Sequence, residues 1–239
     1  MTNVGLYSIS VRGFDVPGLL GWAAAEGIPF IHLRGGSRGY HLRACAPSTL
    51  QRWRRIAAET VPITGVTADT DLADLLADDP VVRARATEDV VRLAEAAAEL
   101  GAAWLRVLSR TPPEPGWAYH RLPTTALPLL VEPHHPGWLS SGAFPWLPEM
   151  RLLADTKQLA APSPVLAEVI KRTRVLHLSD DGLGGDGFGE AADLAASRIA
   201  AGQRIEVAVE WTGADRSPPT CLTRYRTAVT WWASRKGER

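Results

Sequence analysis

The sequence predicts an α/β fold of one domain, residues 1–239, in which eight parallel strands close into a (β/α)8 barrel. Three observations predict it. Eight short apolar runs, rich in Val, Leu and Ile and bounded by turn residues, read as strands. Segments with apolar residues three and four apart alternate with them, as helices covering a parallel sheet require. The chain of 239 residues is close to the roughly 250 typical of such barrels, and its 46% hydrophobic content supplies one large core.

Taken in order, the first strand lies in VGLYSIS, and PGLLGWAAAEG follows as a helix with Pro17 near its start and Gly27 at its end. FIHLRGG is the second strand, and PSTLQRWRRIAAET, opening on Pro47, is the second helix. PITGVTA and AWLRVLS are strands three and four, separated by the helix ATEDVVRLAEAAAELG that Gly101 closes. The next connection, RTPPEPGWAYHRLPTTA, has four prolines and no helical period, so the helix between strands four and five is expected to be shortened or missing. LPLLVEP is strand five, and the WLSSGAFPWLPE that follows is short and weakly helical. MRLLADT is strand six, and SPVLAEVIKRT, with Pro164 near its start, is its helix. RVLHLSD is strand seven, followed by a flexible loop, SDDGLGGDGFGE, and by the helix GEAADLAASRIAAG that Gly202 closes. IEVAVEW is strand eight, and PPTCLTRYRTAVTWWASR is the terminal helix.

Several other classes are disfavoured. An open doubly wound sheet also alternates strand and helix, but SISVRGFDVPG after strand one carries neither GxGxxG nor GxxxxGK. Twenty-six basic and twenty-six acidic residues give a net charge of zero, so no overall field draws in nucleic acid or anionic membrane. Cys45 and Cys221 are too few for a disulfide framework, which fits a reducing compartment. The start, MTNVGLYSISVRGF, lacks the pattern of a signal peptide, and there is no apolar run of about 18 residues. The expectation is a cytoplasmic protein that acts on a small-molecule substrate. An incomplete outer ring of helices would leave strand surface for a homodimer partner to cover.

In a barrel of this kind the C-terminal strand ends share one mouth. Strand five ends at Glu132, strand six at Asp155, strand seven carries His177 and strand eight ends at Glu210. Singly, each has an ordinary use, since a strand-end carboxylate is usually solvated and a lone histidine usually only hydrogen-bonded. Together on four successive strands they place three carboxylates in a small volume, where mutual repulsion calls for a counter-charge. One divalent metal ion supplies it. Oxygen-rich ligation with one imidazole suits Mn2+ or Mg2+ first and admits Co2+ or Zn2+.

Around the rim, Arg34 and Arg106 are candidates to hold a substrate oxygen or anion, or else to pair with neighbouring acids. His134 and His135, just beyond Glu132, are candidates to contact substrate, with solvent exposure the alternative, and Lys157, two residues past Asp155, is a candidate electrophile or a surface lysine. Trp138 and Trp211 each follow a glutamate and could line the pocket, although nine tryptophans mostly serve packing. His32 and Asp180 are secondary candidates.

On these residues the chain resembles the xylose-isomerase-like TIM-barrel superfamily, the sugar phosphate isomerase/epimerase and apurinic-endonuclease type of barrel. The resemblance spans nearly the whole chain through VGLYSIS, AEAAAELGAAWLRV, LLVEPHH, LLADTKQ, VLHLSDD and VAVEW, and its specific part is the four-strand pattern. It implies that Glu132, Asp155, His177 and Glu210 are the metal ligands and that Glu132 and Glu210 also act as the catalytic base pair. Two departures matter. Where the family motif after strand six reads Asp, two residues, His, this chain has Gln158, which hydrogen-bonds a substrate oxygen but does not shuttle protons. The repair nucleases need an Asp-x-His after strand seven, and here Asp186 is followed at that spacing by Phe188. The resemblance therefore points to an isomerase or epimerase of a small polyhydroxylated carbonyl compound, working by proton transfer through an enediolate. A metal-dependent lyase or dehydratase of a specialised biosynthetic pathway, or a catalytically silent ligand-binding barrel, are the alternatives.

Overall fold

A computed structural model describes residues 3–112, 121–139, 150–159, 165–180 and 188–235. Eight strands form a closed barrel in chain order, every pairing parallel. They are β1 (Val4–Tyr7), β2 (Ile31–Arg34), β3 (Ile63–Asp71), β4 (Leu105–Ser109), β5 (Leu129–Pro133), β6 (Leu152–Asp155), β7 (Thr173–Asp180) and β8 (Glu206–Trp211). Pairing of Val4 with Val207 and of Leu6 with Val209 closes the ring. Each strand overlaps its expected run; β3 continues three residues past it, to Asp71, and β7 begins one residue before it, at Thr173.

The outer layer comprises α1 (Val16–Ala25), α2 (Pro47–Glu59), α3 (Leu72–Leu75), α4 (Pro80–Glu99), α5 (Leu166–Arg172), α6 (Gly189–Ala200) and α7 (Pro218–Arg235). Gly27, Gly101 and Gly202 follow helices with φ of 72°, 87° and 93°, left-handed values that glycine adopts at least cost. Pro17 and Pro47 stand in the first turns of α1 and α2, where their missing N–H costs no hydrogen bond; Pro164 lies outside the described residues. Among the described residues no α-helix joins β4 to β5; residues 113–120 of that connection lie outside them, as do 140–149 and most of the glycine-rich loop after β7. No helix among the described residues is long and apolar enough to cross a membrane.

Most buried aliphatic side chains form one cluster between the strands' outer faces and the helices. A second, separate cluster consists of Trp104, Leu130, Leu153 and Val175. Each stands two residues before Arg106, Glu132, Asp155 and His177 respectively. Because alternate side chains of a strand share a face, these four lie on the inner face, one layer beneath the candidate site residues. Gly5 and Gly65 make room for this floor: a Cβ on Gly65 would sit 2.0 Å from the Trp104 ring, and one on Gly5 2.1 Å from the Phe30 ring.

Candidate active site

Register brings β6, β7 and β8 to a common corner. Asp155 pairs with His177 across β6 and β7, and Ser179 pairs with Glu210 across β7 and β8. One ligand atom from each of Asp155, His177 and Glu210 lies within 4.8 Å of the other two. His177 Nδ1 is 2.9 Å from Glu210 Oε2. Asp155 Oδ1 accepts the backbone N–H groups of Lys157 and Gln158 at 2.8 and 3.1 Å, which fixes the carboxylate at the turn after β6.

The corner is unfavourable for negative charge. Burial, with the Glu210 and Glu132 carboxylates, pushes Asp155 well above the usual carboxylate range. Burial, with Glu132 next, pushes Glu210 up to about 7. Burial holds His177 down at about 4, so its ring is neutral at pH 7. Two carboxyls that resist ionisation beside a neutral imidazole nitrogen form a donor set that a divalent cation would neutralise, and the residues present fit such an ion.

Glu132 is differently placed. It is not one of these three, and its neighbours are Arg106, with Nε 2.7 Å from its Oε2, and His134, with Nε2 3.3 Å from its Oε1. The contact with Arg106 is an ion pair without hydrogen-bond alignment, and neither buried atom has a hydrogen-bond partner. Burial is the largest influence and would raise the Glu132 carboxyl, but Arg106, with His134 and His177, together outweigh it and hold the group at about 2. The four strand-end residues are thus brought together as a triad plus a glutamate whose charge an arginine already balances. Arg106 is itself buried; it donates from Nη1 to the Ala68 carbonyl at 2.8 Å and from Nη2 to the Tyr7 hydroxyl at 3.4 Å. The hydrogen bond between Glu132 and His134, outweighing burial, raises the His134 imidazole.

Other expected residues are distributed more widely. Arg34 is engaged by Asp69, with Nη2 2.8 Å from Oδ1. His134 and Gln158 are half-buried, while His135 and Lys157 are exposed. The His135 ring accepts the Gly137 N–H at 2.9 Å, which ties it to the turn. Trp138 is wholly buried, its indole donating to the Thr111 carbonyl, and Trp211 donates to the Asp215 carbonyl; both serve packing. The side chain of Asp180, like all of Asp186, lies outside the described residues.

Two inward residues, Tyr7 and Glu206, were not anticipated, and a third, His32, proves more central than expected. Tyr7 hydrogen-bonds Thr67 at 2.6 Å and packs against His177, ring centroids 4.8 Å apart. Glu206 stands four residues before Glu210 on the same face of β8. His32, only a secondary candidate, lies under the corner with its Nδ1 3.0 Å from His177 Nε2. Strand alternation was the signal for them, counted back from each strand-end residue.

A scan against protein-family models finds no match, and no curated protein matches the chain in sequence. Solved structures do match over nearly the full length. The 3-keto-D-glucoside 4-epimerase of E. coli is 14% identical with a TM-score of 0.68, covering 98% of this chain and 100% of its own. The D-psicose 3-epimerase of Clostridium cellulolyticum H10, solved with D-tagatose, is 11% identical with a TM-score of 0.73, covering 97% and 98%. A xylose isomerase domain containing protein of Salmonella typhimurium is 13% identical with a TM-score of 0.62, covering 99% and 96%. At such identities the likeness shows the fold.

Proposed function

We propose that this chain, which has the xylose-isomerase-like TIM-barrel fold, is a divalent-metal-dependent isomerase or epimerase of a small polyhydroxylated carbonyl compound. The observation that carries the reading is the triad of Asp155, His177 and Glu210, the first two buried and the third partly so, toward the strand ends where barrels of this kind place their chemistry. That sugar epimerases share the fold supports the substrate class. Two carboxylates and one imidazole suit Mn2+ or Mg2+. Bound there, the ion supplies Lewis-acid polarisation of the substrate carbonyl, which acidifies the neighbouring C–H.

The chain's own residues then have separable tasks. Asp155, His177 and Glu210 hold the ion, and Glu132 is the fourth candidate ligand, in competition with Arg106. Glu210, at the triad corner beside His177, is suited to take the carbon-bound proton. Glu132 is the second carboxylate of the proton transfer, kept ionised by Arg106. Delivery of a proton to the opposite face of the same carbon gives an epimer, and delivery to the neighbouring carbon gives an isomer. His134, Gln158 and Lys157 offer donors for substrate hydroxyls at the rim.

The test is solvent exchange. Protein supplied with Mn2+ and offered a panel of ketopentoses and ketohexoses in D2O should place deuterium beside the carbonyl of at least one sugar. Glu132→Gln and Glu210→Gln, at saturating Mn2+, should each lose about 10²-fold or more in that rate. Bound Mn2+ should be lost in Asp155→Ala. Absence of exchange with every sugar, or Mn2+ retained in full by Asp155→Ala, refutes the reading.

A further inference from the structure

Beneath the triad a single file of hydrogen bonds runs down the barrel interior. Glu210 Oε2 meets His177 Nδ1 at 2.9 Å, His177 Nε2 meets His32 Nδ1 at 3.0 Å, and His32 Nε2 meets Glu206 Oε1 at 2.7 Å. Both imidazoles are wholly buried. The same Glu206 oxygen also accepts from Thr64 Oγ1 at 2.9 Å and from Trp104 Nε1 at 3.1 Å. Glu206 stands at the opposite end of β8 from Glu210, and its side chain keeps 30% exposure. It is reached through a cavity of about 560 Å³ at the strands' N-terminal ends, lined by Trp104, Leu130, Arg151, Arg174 and Arg204 among others.

Counting protons along this file gives it a direction. An ionised carboxylate only accepts, so His32 must donate to Glu206 from Nε2. A neutral His32 then has no hydrogen on Nδ1 and accepts there. Its partner, His177 Nε2, must therefore carry the N–H. A neutral His177 with its hydrogen on Nε2 presents a bare lone pair at Nδ1, so the 2.9 Å contact in the metal-free protein is donated by the Glu210 carboxyl O–H. Both rings are fully shut off from water, which disfavours a charged imidazolium in either. An imidazole that binds a metal is commonly oriented by the group its other nitrogen contacts, often a carboxylate; here the carboxylate acts through an intervening histidine.

We propose that Glu206 and His32 are positioning residues that fix the tautomer and ring orientation of His177 from the barrel floor, turning its Nδ1 lone pair toward the Asp155–Glu210 corner. The purpose assigned to that lone pair, metal ligation, rests on the function proposed above; the tautomer does not.

The experiment uses the full chain labelled with 15N, metal-free at neutral pH, and separately its affinity for Mn2+ read from the EPR signal of the free ion. His177 is one of six histidines and is assigned by loss of its signals in His177→Gln. The expected spectrum has His177 protonated on Nε2 and bare on Nδ1. Glu206→Met removes the acceptor at similar size, and should mix the tautomers and weaken Mn2+ affinity about 10–100-fold. Glu206→Gln keeps an oxygen for His32 and should restore both readouts, which a loss of general stability would not do. His177 protonated on Nδ1 in the unaltered protein overturns the proposal, as does unchanged tautomer and Mn2+ affinity in a folded Glu206→Met. If the unaltered protein shows the expected tautomer but binds no Mn2+, the metal reading fails and the positioning role stands.

Discussion

At the scale of single residues, the arrangement turns on which groups balance which charges. Glu132 is buried and ionised because Arg106 is buried against it. Removing one partner of such a pair strands a charge, so Arg106→Met should cost about 3–5 kcal/mol of stability in urea denaturation. Adding Glu132→Gln to it should recover much of that loss, because no charge is then buried alone; simple addition of the two single effects would contradict the pairing. These interactions were only partly legible in the sequence. Glu132, Asp155, His177 and Glu210 could be found because strand ends are visible as boundaries of apolar runs. That Arg106 would face Glu132 rather than a substrate depends on the register of β4 against β5, where Leu108 and not Arg106 lies opposite Glu132. Tyr7 and Glu206 were less legible because a lone polar residue in an apolar run shows its face only when alternation is counted from a strand-end residue.

At the scale of elements, β2 and β3 are joined beyond their ladder by Asp69. Its carboxylate accepts from Arg34 Nη2 at 2.8 Å and from the Arg38 backbone N–H at 2.9 Å. Burial would raise the Asp69 carboxyl, but the Arg38 backbone and Arg34 guanidinium hydrogen bonds hold it below its ordinary value. A depressed acid contributes stability that is present above its unfolded pKa, about 3.9, and is lost as pH falls through the lower folded value. Asp69→Asn should therefore cost about 1 kcal/mol near pH 7, allowing for solvent screening. The gap to the parent should close as the pH is lowered through the range below about 3.9; a gap independent of pH would remove the charge from the explanation. Strand and helix order was legible here because each element repeats its own period. Boundaries were less so: α4 begins at Pro80, six residues before its expected start. Asp79 caps that end, its Oδ1 accepting the Val81 N–H at 2.8 Å, and Val81 stays 74% exposed, so the apolar stripe starts later than the helix. The one-turn α3, Leu72–Leu75, is too short to show a period at all.

At the scale of the whole molecule, the triad should make stability depend on pH and on metal together. Glu210 and Asp155 are acids whose folded values are raised, so without an ion they contribute stability that is present below about pH 4.3. That contribution is lost as pH rises through about 7, where Glu210 ionises. The metal-free protein should accordingly melt lower at about pH 8 than at about pH 5, by differential scanning calorimetry. At the higher pH, Mn2+ at a hundred times its Kd should add about 2.7 kcal/mol, or roughly 5–10 °C in Tm. A melting temperature indifferent to Mn2+ would count against the triad as its site. The cavity around Glu206 carries a separate consequence, for protein engineering. In barrels of this kind the N-terminal face is treated as scaffold, open to redesign for solubility or heat resistance without touching the chemistry at the other end. Here a side chain on that face is two hydrogen bonds from His177. A library that varied the floor for stability alone would be selecting on the reactive end as well, with Glu206 and His32 as the two positions to hold constant.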